Sequence, residues 1–229
     1  MKTFKNAFTM LELIFVLVVI GILAVVMIPR MGRNTLYEAA HQLAFHIRYT
    51  QHLAMNDDKF DSNSSDWYKE RWQLNFAKGN GTEHKWSYTI FSDVAGGSSG
   101  NPDPNEIAVN PLDSNKKLTG GSNGTSIIHT GDAEATASMN LGKKYGITNV
   151  DFSSSCTTGG SHPSKRIAFD YMGRPLYGAF HNYTKPYPAD RIVRTQCIIS
   201  LCTQSCASAS TSEKIQIAIE PETGYIHIL

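Results

Sequence analysis

The hydrophobic residues of this chain are concentrated near its beginning. An uninterrupted apolar run extends from Leu13 to Ile28, and the wider segment Phe8–Ile28 contains 21 residues. With a helical rise of ~1.5 Å per residue, this segment would be roughly 31 Å long, close to the thickness of the hydrocarbon core of a bilayer. The pattern therefore predicts a membrane-spanning helix, and Pro29 follows it directly.

The apolar residues that come next are periodic instead of continuous. The repeating positions are Leu36, Ala40, Leu43, Ile47 and Ala54. Their spacings of 4, 3, 4 and 7 residues match the period of an amphipathic helix. The polar run 56–58 should end this helix, so a stem helix is predicted over residues 8–56, with its second half packed on a sheet.

The rest of the chain has the alternation typical of β-strands. Strands are predicted at Trp72–Phe76, Lys85–Phe91, Asn149–Ser153, Arg166–Tyr171, Ile192–Leu201, Lys214–Ile219 and Gly224–Leu229. Turn sequences at 78–81, 170–175 and 220–224 favour hairpins. The predicted fold class is α+β, in which one long N-terminal helix packs on an antiparallel β-sheet domain at residues 57–229.

A Gly-, Ser- and Asn-rich insertion interrupts the predicted strands between residues 96 and 140. Within it, only the pair Ile127-Ile128 suggests a short strand. An insertion of this length in a compact domain is usually an interaction loop or a mobile one.

The overall charge argues against general nucleic-acid binding. Lys and Arg number 21 and Asp and Glu number 20, for a formal net charge of +1. A local basic patch is still an alternative if the basic residues of the second half cluster in space. These are Lys116, Lys117, Lys143, Lys144, Lys165, Arg166, Arg174, Arg191 and Arg194.

Glu12 is the one feature that a simple membrane anchor does not explain. A carboxylate inside a spanning segment costs about 2.5–3.5 kcal/mol on insertion scales and usually has a partner. Nothing basic lies within a helical turn or two on its C-terminal side. The partner would have to come from another chain or from a new N-terminus created nearby.

The N-terminal motif resembles that of type IV pilins and type II secretion pseudopilins. The resemblance rests on Lys5–Leu13, which includes the run Phe8-Thr9-Met10-Leu11-Glu12, and on Gly21–Pro29. It implies that prepilin peptidase removes a leader at 1–7 by cutting between Ala7 and Phe8 and that the new amine of Phe8 is methylated. It also implies that Phe8, Glu12 and Pro29 act in filament assembly, with Glu12 facing the amine of a neighbouring subunit. Ala7 departs from the usual Gly.

Within this family, the chain is most similar to the H-type minor pseudopilins. The similarity lies in the stem segment Glu38–Asn56 and in two strand-turn motifs, Ile167–Arg174 and Ile219–Gly224. It implies a non-enzymatic filament subunit in the bacterial inner membrane. Such a subunit crosses the membrane once, holds its globular domain in the periplasm and assembles with other pilin or pseudopilin subunits. The alternative is a minor pilin that binds DNA or a surface ligand.

Four cysteines, Cys156, Cys197, Cys202 and Cys206, lie in the part expected to be exported. An even number in an oxidising compartment favours disulfides. Cys197 and Cys202 are five residues apart on one predicted strand and face opposite sides, which argues against their pairing. Two arrangements stay open: Cys156–Cys197 with Cys202–Cys206, or Cys156–Cys206 alone.

Signals for catalysis or a cofactor are weak. No nucleophile elbow, phosphate-binding loop or His-Glu-x-x-His motif occurs. His41, His46 and His52 have the wrong spacing for one metal-binding helix face, and we expect no cofactor. Acidic loop residues (Asp57, Asp58, Asp61, Asp66, Asp103 and Asp113) leave calcium open, and Asp61–Ser65 matches an acidic glycosylation sequon at Asn63.

Overall fold

The structure is a computed structural model. It describes residues 9–94, 99–123, 126–158 and 164–229, and within the first helix it describes no side chains at positions 24–34. The chain divides into two compact units, residues 1–35 and 36–229. Helix and antiparallel sheet are combined, so the prediction of an α+β fold is confirmed.

Helix α1 extends over Met10–Asn56 and ends at the polar run that predicts its end. In the first unit, the described apolar side chains of α1 are exposed from Met10 to Leu23. Among the described residues, no helix has both the length and the mean hydropathy of a membrane-spanning segment. Phe8 and the side chains at 24–28 lie outside the described residues, so the predicted span stays a prediction.

The second part of α1 buries the periodic face that its sequence predicts. Leu36, Ala40, Leu43, Ile47 and Ala54 are between 0% and 5% exposed. They belong to the main hydrophobic core together with residues of both larger sheets, such as Leu74 and Ile217. The helix therefore serves as the surface on which the β-rich domain is built.

The strands are β1 (Trp72–Ala77), β2 (Ser87–Ser92), β3 (Val109–Asn110), β4 (Asp113–Lys117), β5 (Asn149–Phe152), β6 (Arg166–Phe169), β7 (Pro175–Tyr177), β8 (Cys197–Cys202), β9 (Lys214–Ile219) and β10 (Ile226–Ile228). A short helix, α2 (Leu141–Tyr145), precedes β5. One sheet has the order β2-β1-β6-β7 and the second has the order β10-β9-β8-β5, and the pairing within each is antiparallel. The three predicted hairpins, β1–β2, β6–β7 and β9–β10, are confirmed.

One predicted strand is partly wrong. The sequence favours a continuous strand over Ile192–Leu201, but β8 begins only at Cys197. The preceding residues belong to the other sheet, because Ile192 pairs with Leu176 and the Val193 amide donates to Pro175 O at 3.2 Å. The chain therefore crosses from one sheet to the other at the polar residues 194–196, which separate two apolar runs.

The insertion at 96–140 is largely folded where it is described, which does not fit a mobile loop, whereas a role as an interaction loop stays a prediction. It lies along β2, with bridges from Ser87 to Asn140 and from Thr89 to Thr119. β2 is an edge strand of its sheet, and these residues satisfy its outer backbone groups. The strand suggested at Ile127-Ile128 is wrong, since Ile128 is buried without joining a sheet.

Candidate functional site

The predicted processing and assembly residues are only partly described. Ala7 and Phe8, and the leader at 1–7, lie outside the described residues, as does the side chain of Pro29. Glu12 lies in the first turn of α1 and is exposed. Its backbone amide donates to Thr9 Oγ1 at 3.3 Å, so the threonine caps the helix beside the carboxylate.

An exposed apolar surface surrounds Glu12, and we call Met10–Leu23 the apolar helix segment. Large side chains are exposed throughout it, including Leu11 at 80% and Phe15 at 69%. Soluble monomers rarely leave a continuous apolar surface uncovered, so a surface of this kind marks contact with lipid or with other chains. Glu12 is the one acidic or basic residue of the segment.

At the other end of α1, a single side chain joins the two strand-turn motifs on which the similarity to the minor pseudopilins depends. Gln51 Nε2 donates to Gly173 O at 2.8 Å and to Thr223 O at 3.0 Å. Gly173 belongs to the β6–β7 turn and Thr223 to the β9–β10 turn. One helical glutamine thus connects turns from both four-stranded sheets, and we call this contact the Gln51 clamp.

The clamp requires glycine in both turns. Gly173 and Gly224 have φ values of +79° and +60°, which L side chains rarely adopt. A Cβ at Gly224 would lie 2.4 Å from Gly173 O and 2.6 Å from Gln51 Nε2. The two turns therefore approach each other and the helix too closely for any side chain.

The cysteines form two disulfides, as predicted. Cys156 bonds to Cys197 and Cys202 bonds to Cys206, which is the first of the two arrangements left open by the sequence. The first bond links the segment after β5 to the start of β8, and both of its residues are fully buried. The second closes a short loop at the end of β8.

The three histidines of α1 do not form a site. His41 and His52 are exposed, whereas His46 is buried in a polar network between α1 and β2. His46 Nδ1 lies 2.7 Å from the hydroxyl of Tyr88, which also accepts from Gln42 Nε2 at 2.9 Å. Burial lowers the pKa of His46 to about 4, so the imidazole is neutral at physiological pH.

Most of the candidate basic patch is neutralised within the chain. Five of its residues have a carboxylate partner: Lys117 with Glu134 at 3.4 Å, Lys143 with Glu83 at 2.6 Å, Lys165 with Asp151 at 3.2 Å, Arg174 with Asp170 at 2.7 Å and Arg191 with Asp190 at 3.4 Å. Arg166 is buried and donates to Gly100 O at 2.6 Å. These pairs leave little unbalanced positive charge for a polyanion.

The acidic loops form no metal site among the described residues. No group of three or more His, Cys, Asp and Glu side chains in that part of the chain is placed to hold a metal ion. Asp57 instead pairs with Lys59 at 2.5 Å, and Asp61 accepts from the Asn63 amide at 2.8 Å within an exposed turn. The sequon at Asn63 is therefore exposed, and its modification stays a prediction.

One cavity was not expected from the sequence, and we call it the aromatic pocket. Its volume is about 370 Å³, and its lining residues are Asp58, Phe60, Trp67, Tyr171, Arg174 and Tyr187. They come from the loop after α1, a 3-10 turn before β1, the β6–β7 turn and the segment after β7. No local pattern could indicate it, because the lining residues are distant in sequence.

Comparisons with known proteins find no relative: no family, no curated protein and no solved structure matches this chain.

Proposed function

We propose that the chain is a non-enzymatic subunit of a type II secretion pseudopilus or a related type IV pilus-like filament. Prepilin peptidase would process it at Ala7–Phe8, and the N-terminal helix would hold it in the bacterial inner membrane and then in the filament. The observation that carries this proposal is the apolar helix segment, which is exposed over its whole described length and contains one carboxylate. Lipid before assembly and neighbouring helices after assembly would cover this surface.

Glu12 supports the same function through its energetics. A carboxylate surrounded by apolar neighbours is costly unless a cation partners it. The methylated amine of Phe8 in a neighbouring subunit would be such a cation. A pair of this kind contributes more to the register between subunits than to net stability.

The β-rich domain is consistent with an exported location. It contains two disulfides, which form and persist in oxidising compartments. The pairing of most candidate basic residues with carboxylates favours a filament subunit over a nucleic-acid-binding minor pilin.

The test is the mass of the N-terminal peptide of chain purified from membranes of cells that express a prepilin peptidase. We expect a peptide that begins at Phe8 and is one methyl group heavier than its sequence. Ala7→Trp should block the cut, since the peptidase needs a small residue before it. An intact Met1 in the unsubstituted chain, or normal cutting of Ala7→Trp, would contradict the processing site.

Assembly is tested with Glu12→Gln, which removes the charge and retains the size. We expect normal membrane insertion and cleavage but at least a tenfold lower amount of subunit in sheared filaments. Glu38→Gln is the matched control, because Glu38 is an exposed glutamate on the same helix. Equal incorporation of the two variants would show that Glu12 has no role in assembly.

A further inference from the structure

The aromatic pocket combines apolar rings with two charged groups in a way that the filament proposal does not use. Phe60 is 62% exposed and Tyr171 is 51% exposed, although both line a concave surface. Its volume of about 370 Å³ falls within the range of small-molecule sites. A surface of exposed rings around a cavity favours a ligand that has an apolar face.

Two of the four lining rings pack against a buried arginine outside the pocket. The guanidinium of Arg71 lies 5.0 Å from the centre of the Trp67 ring and 4.7 Å from that of Tyr187. Arg71 Nη1 donates to Pro186 O at 2.7 Å. Phe60 packs edge-on against Trp67 at 5.3 Å, so the walls of the pocket are mutually supported.

Arg71 also leaves a hydrogen-bond donor unused. The residue is 4% exposed, and its Nη2 is buried without a hydrogen-bond partner. It lines a recess of about 10 Å³ that shares Asp58, Trp67 and Tyr171 with the aromatic pocket. A recess of that size holds a single water or one hydroxyl group. Because a buried donor without a partner is costly, an oxygen atom in this recess, from a water or from a ligand hydroxyl, would stabilise Arg71.

The two charged lining groups offer complementary hydrogen bonds. Arg174 uses Nε to bind Asp170 Oδ2 at 2.7 Å, and that bond does not engage Nη1 or Nη2. This bond raises the pKa of Arg174, which stays a cation and a donor. Asp58 Oδ1 accepts a hydrogen bond from the Phe60 backbone amide at 3.1 Å, and Asp58 Oδ2 takes no part in that bond. The pocket therefore provides both donors and an acceptor beside its aromatic walls.

This combination selects among ligand classes. The prolines of a proline-rich peptide have no N–H, so they would present carbonyl acceptors but no donor for Asp58. The lining has one cation, Arg174, and one anion, Asp58, so its charges balance and favour neither a cation such as a quaternary ammonium ion nor an anion. A neutral ring with hydroxyl groups at its edge and C–H groups on its faces meets every requirement. We propose that the aromatic pocket binds a neutral pyranose sugar.

The test is saturation-transfer difference NMR on the full chain, solubilised in a polyoxyethylene detergent that carries no sugar. The probes are the methyl pyranosides of glucose, galactose, mannose and N-acetylglucosamine. We expect saturable transfer to the ring protons of at least one of them. Phe60→Ala and Tyr171→Ala should each weaken its binding by about fivefold or more, because each removes a stacking surface.

Tyr225→Ala is the matched control, since Tyr225 is an aromatic residue with the same 62% exposure as Phe60 and lies outside the pocket. Asp58→Asn should also weaken binding, while thermal unfolding shows that each variant remains folded. The proposal is overturned if no pyranoside binds saturably, if Tyr225→Ala weakens binding as much as Phe60→Ala, or if only a proline-rich peptide binds. None of these outcomes bears on cleavage at Ala7–Phe8, so the filament proposal is tested separately.

Discussion

At the residue scale, the His46 network can be ordered so that each member donates to the next. Tyr145 donates to Gln42 Oε1 at 2.8 Å, Gln42 donates to the Tyr88 oxygen, and the Tyr88 hydroxyl is then directed at His46 Nδ1. In this order the hydroxyl donates to an unprotonated Nδ1. Protonation would place two donors opposite each other at a buried position, which agrees in sign with the lowered pKa of His46.

This network predicts how stability depends on pH. The pKa of His46 is about 4 in the folded chain and about 6.5 when unfolded, so the unfolded chain binds this proton more readily. The contribution of neutral His46 to the free energy of unfolding is complete above pH 6.5. It is lost as the pH falls towards 4, by up to about 3 kcal/mol. Urea unfolding between pH 7 and 4 should be less pH-dependent in His46→Gln than in the unsubstituted chain. His41→Gln, which changes an exposed histidine, should leave the pH dependence of the unfolding free energy unaltered. The same pH dependence in all three chains would refute the role assigned to His46.

At the element scale, the Gln51 clamp sets how α1 and the two hairpins meet. Arg48 Nη2 adds a bond to Ile226 O at 2.7 Å, one turn earlier on the helix. Together, these two side chains satisfy three carbonyl groups at turns and strand ends. The contact depends on backbone geometry at Gly224 that no other residue can supply without strain.

Gly224→Ala should therefore destabilise the domain by about 3 kcal/mol or more, because it combines a positive φ with a clash against backbone. Gly146→Ala is the matched control: its φ is +71°, but nothing lies within 4 Å of the added Cβ. It should cost only about 1 kcal/mol from the backbone conformation. Thermal unfolding by circular dichroism compares the two, and equal losses would mean that the close approach of the turns has no energetic weight.

At the scale of the whole molecule, the two disulfides differ in the length of chain they close. Cys156 and Cys197 are 41 residues apart, whereas Cys202 and Cys206 are four apart. In the chain-entropy description, the longer loop contributes about 4 kcal/mol and the shorter about 2 kcal/mol. The double variant Cys156→Ala/Cys197→Ala should therefore lose more stability in urea than Cys202→Ala/Cys206→Ala. The reverse order would contradict this account.

The parts of the fold that were predictable are those encoded locally. The buried face of α1 and the three hairpins follow from the period of apolar residues and from turn residues adjacent in sequence. The start of β8 was missed because 192–201 is apolar on both sides of the crossing between sheets. The packing of 99–123 and 126–140 on β2 was missed because small polar residues carry little periodic signal.

The residues of the candidate sites also differ in whether a local motif indicates them. Ala7, Phe8 and Glu12 could be proposed from the sequence because they lie in one short motif near the beginning of the chain, and their roles stay predictions. The aromatic pocket was not, since Phe60 and Tyr187 are separated by more than half of the chain and meet only in the folded domain. The Gln51 clamp was not predicted either, because nothing in the sequence distinguishes Gln51 from the other polar residues of the stem helix.

The long reach of that clamp has a consequence for the order in which the domain folds. Gln51 and Arg48 bond to residues 122, 172 and 178 positions further along the chain. α1 can form early from local contacts, but these bonds form only after nearly all of the domain has been synthesised and its hairpins have closed. The C-terminal end of α1 therefore lacks these bonds for most of the synthesis of the chain. Completion of the domain is therefore a late and cooperative event, during which a holding chaperone would have its largest effect.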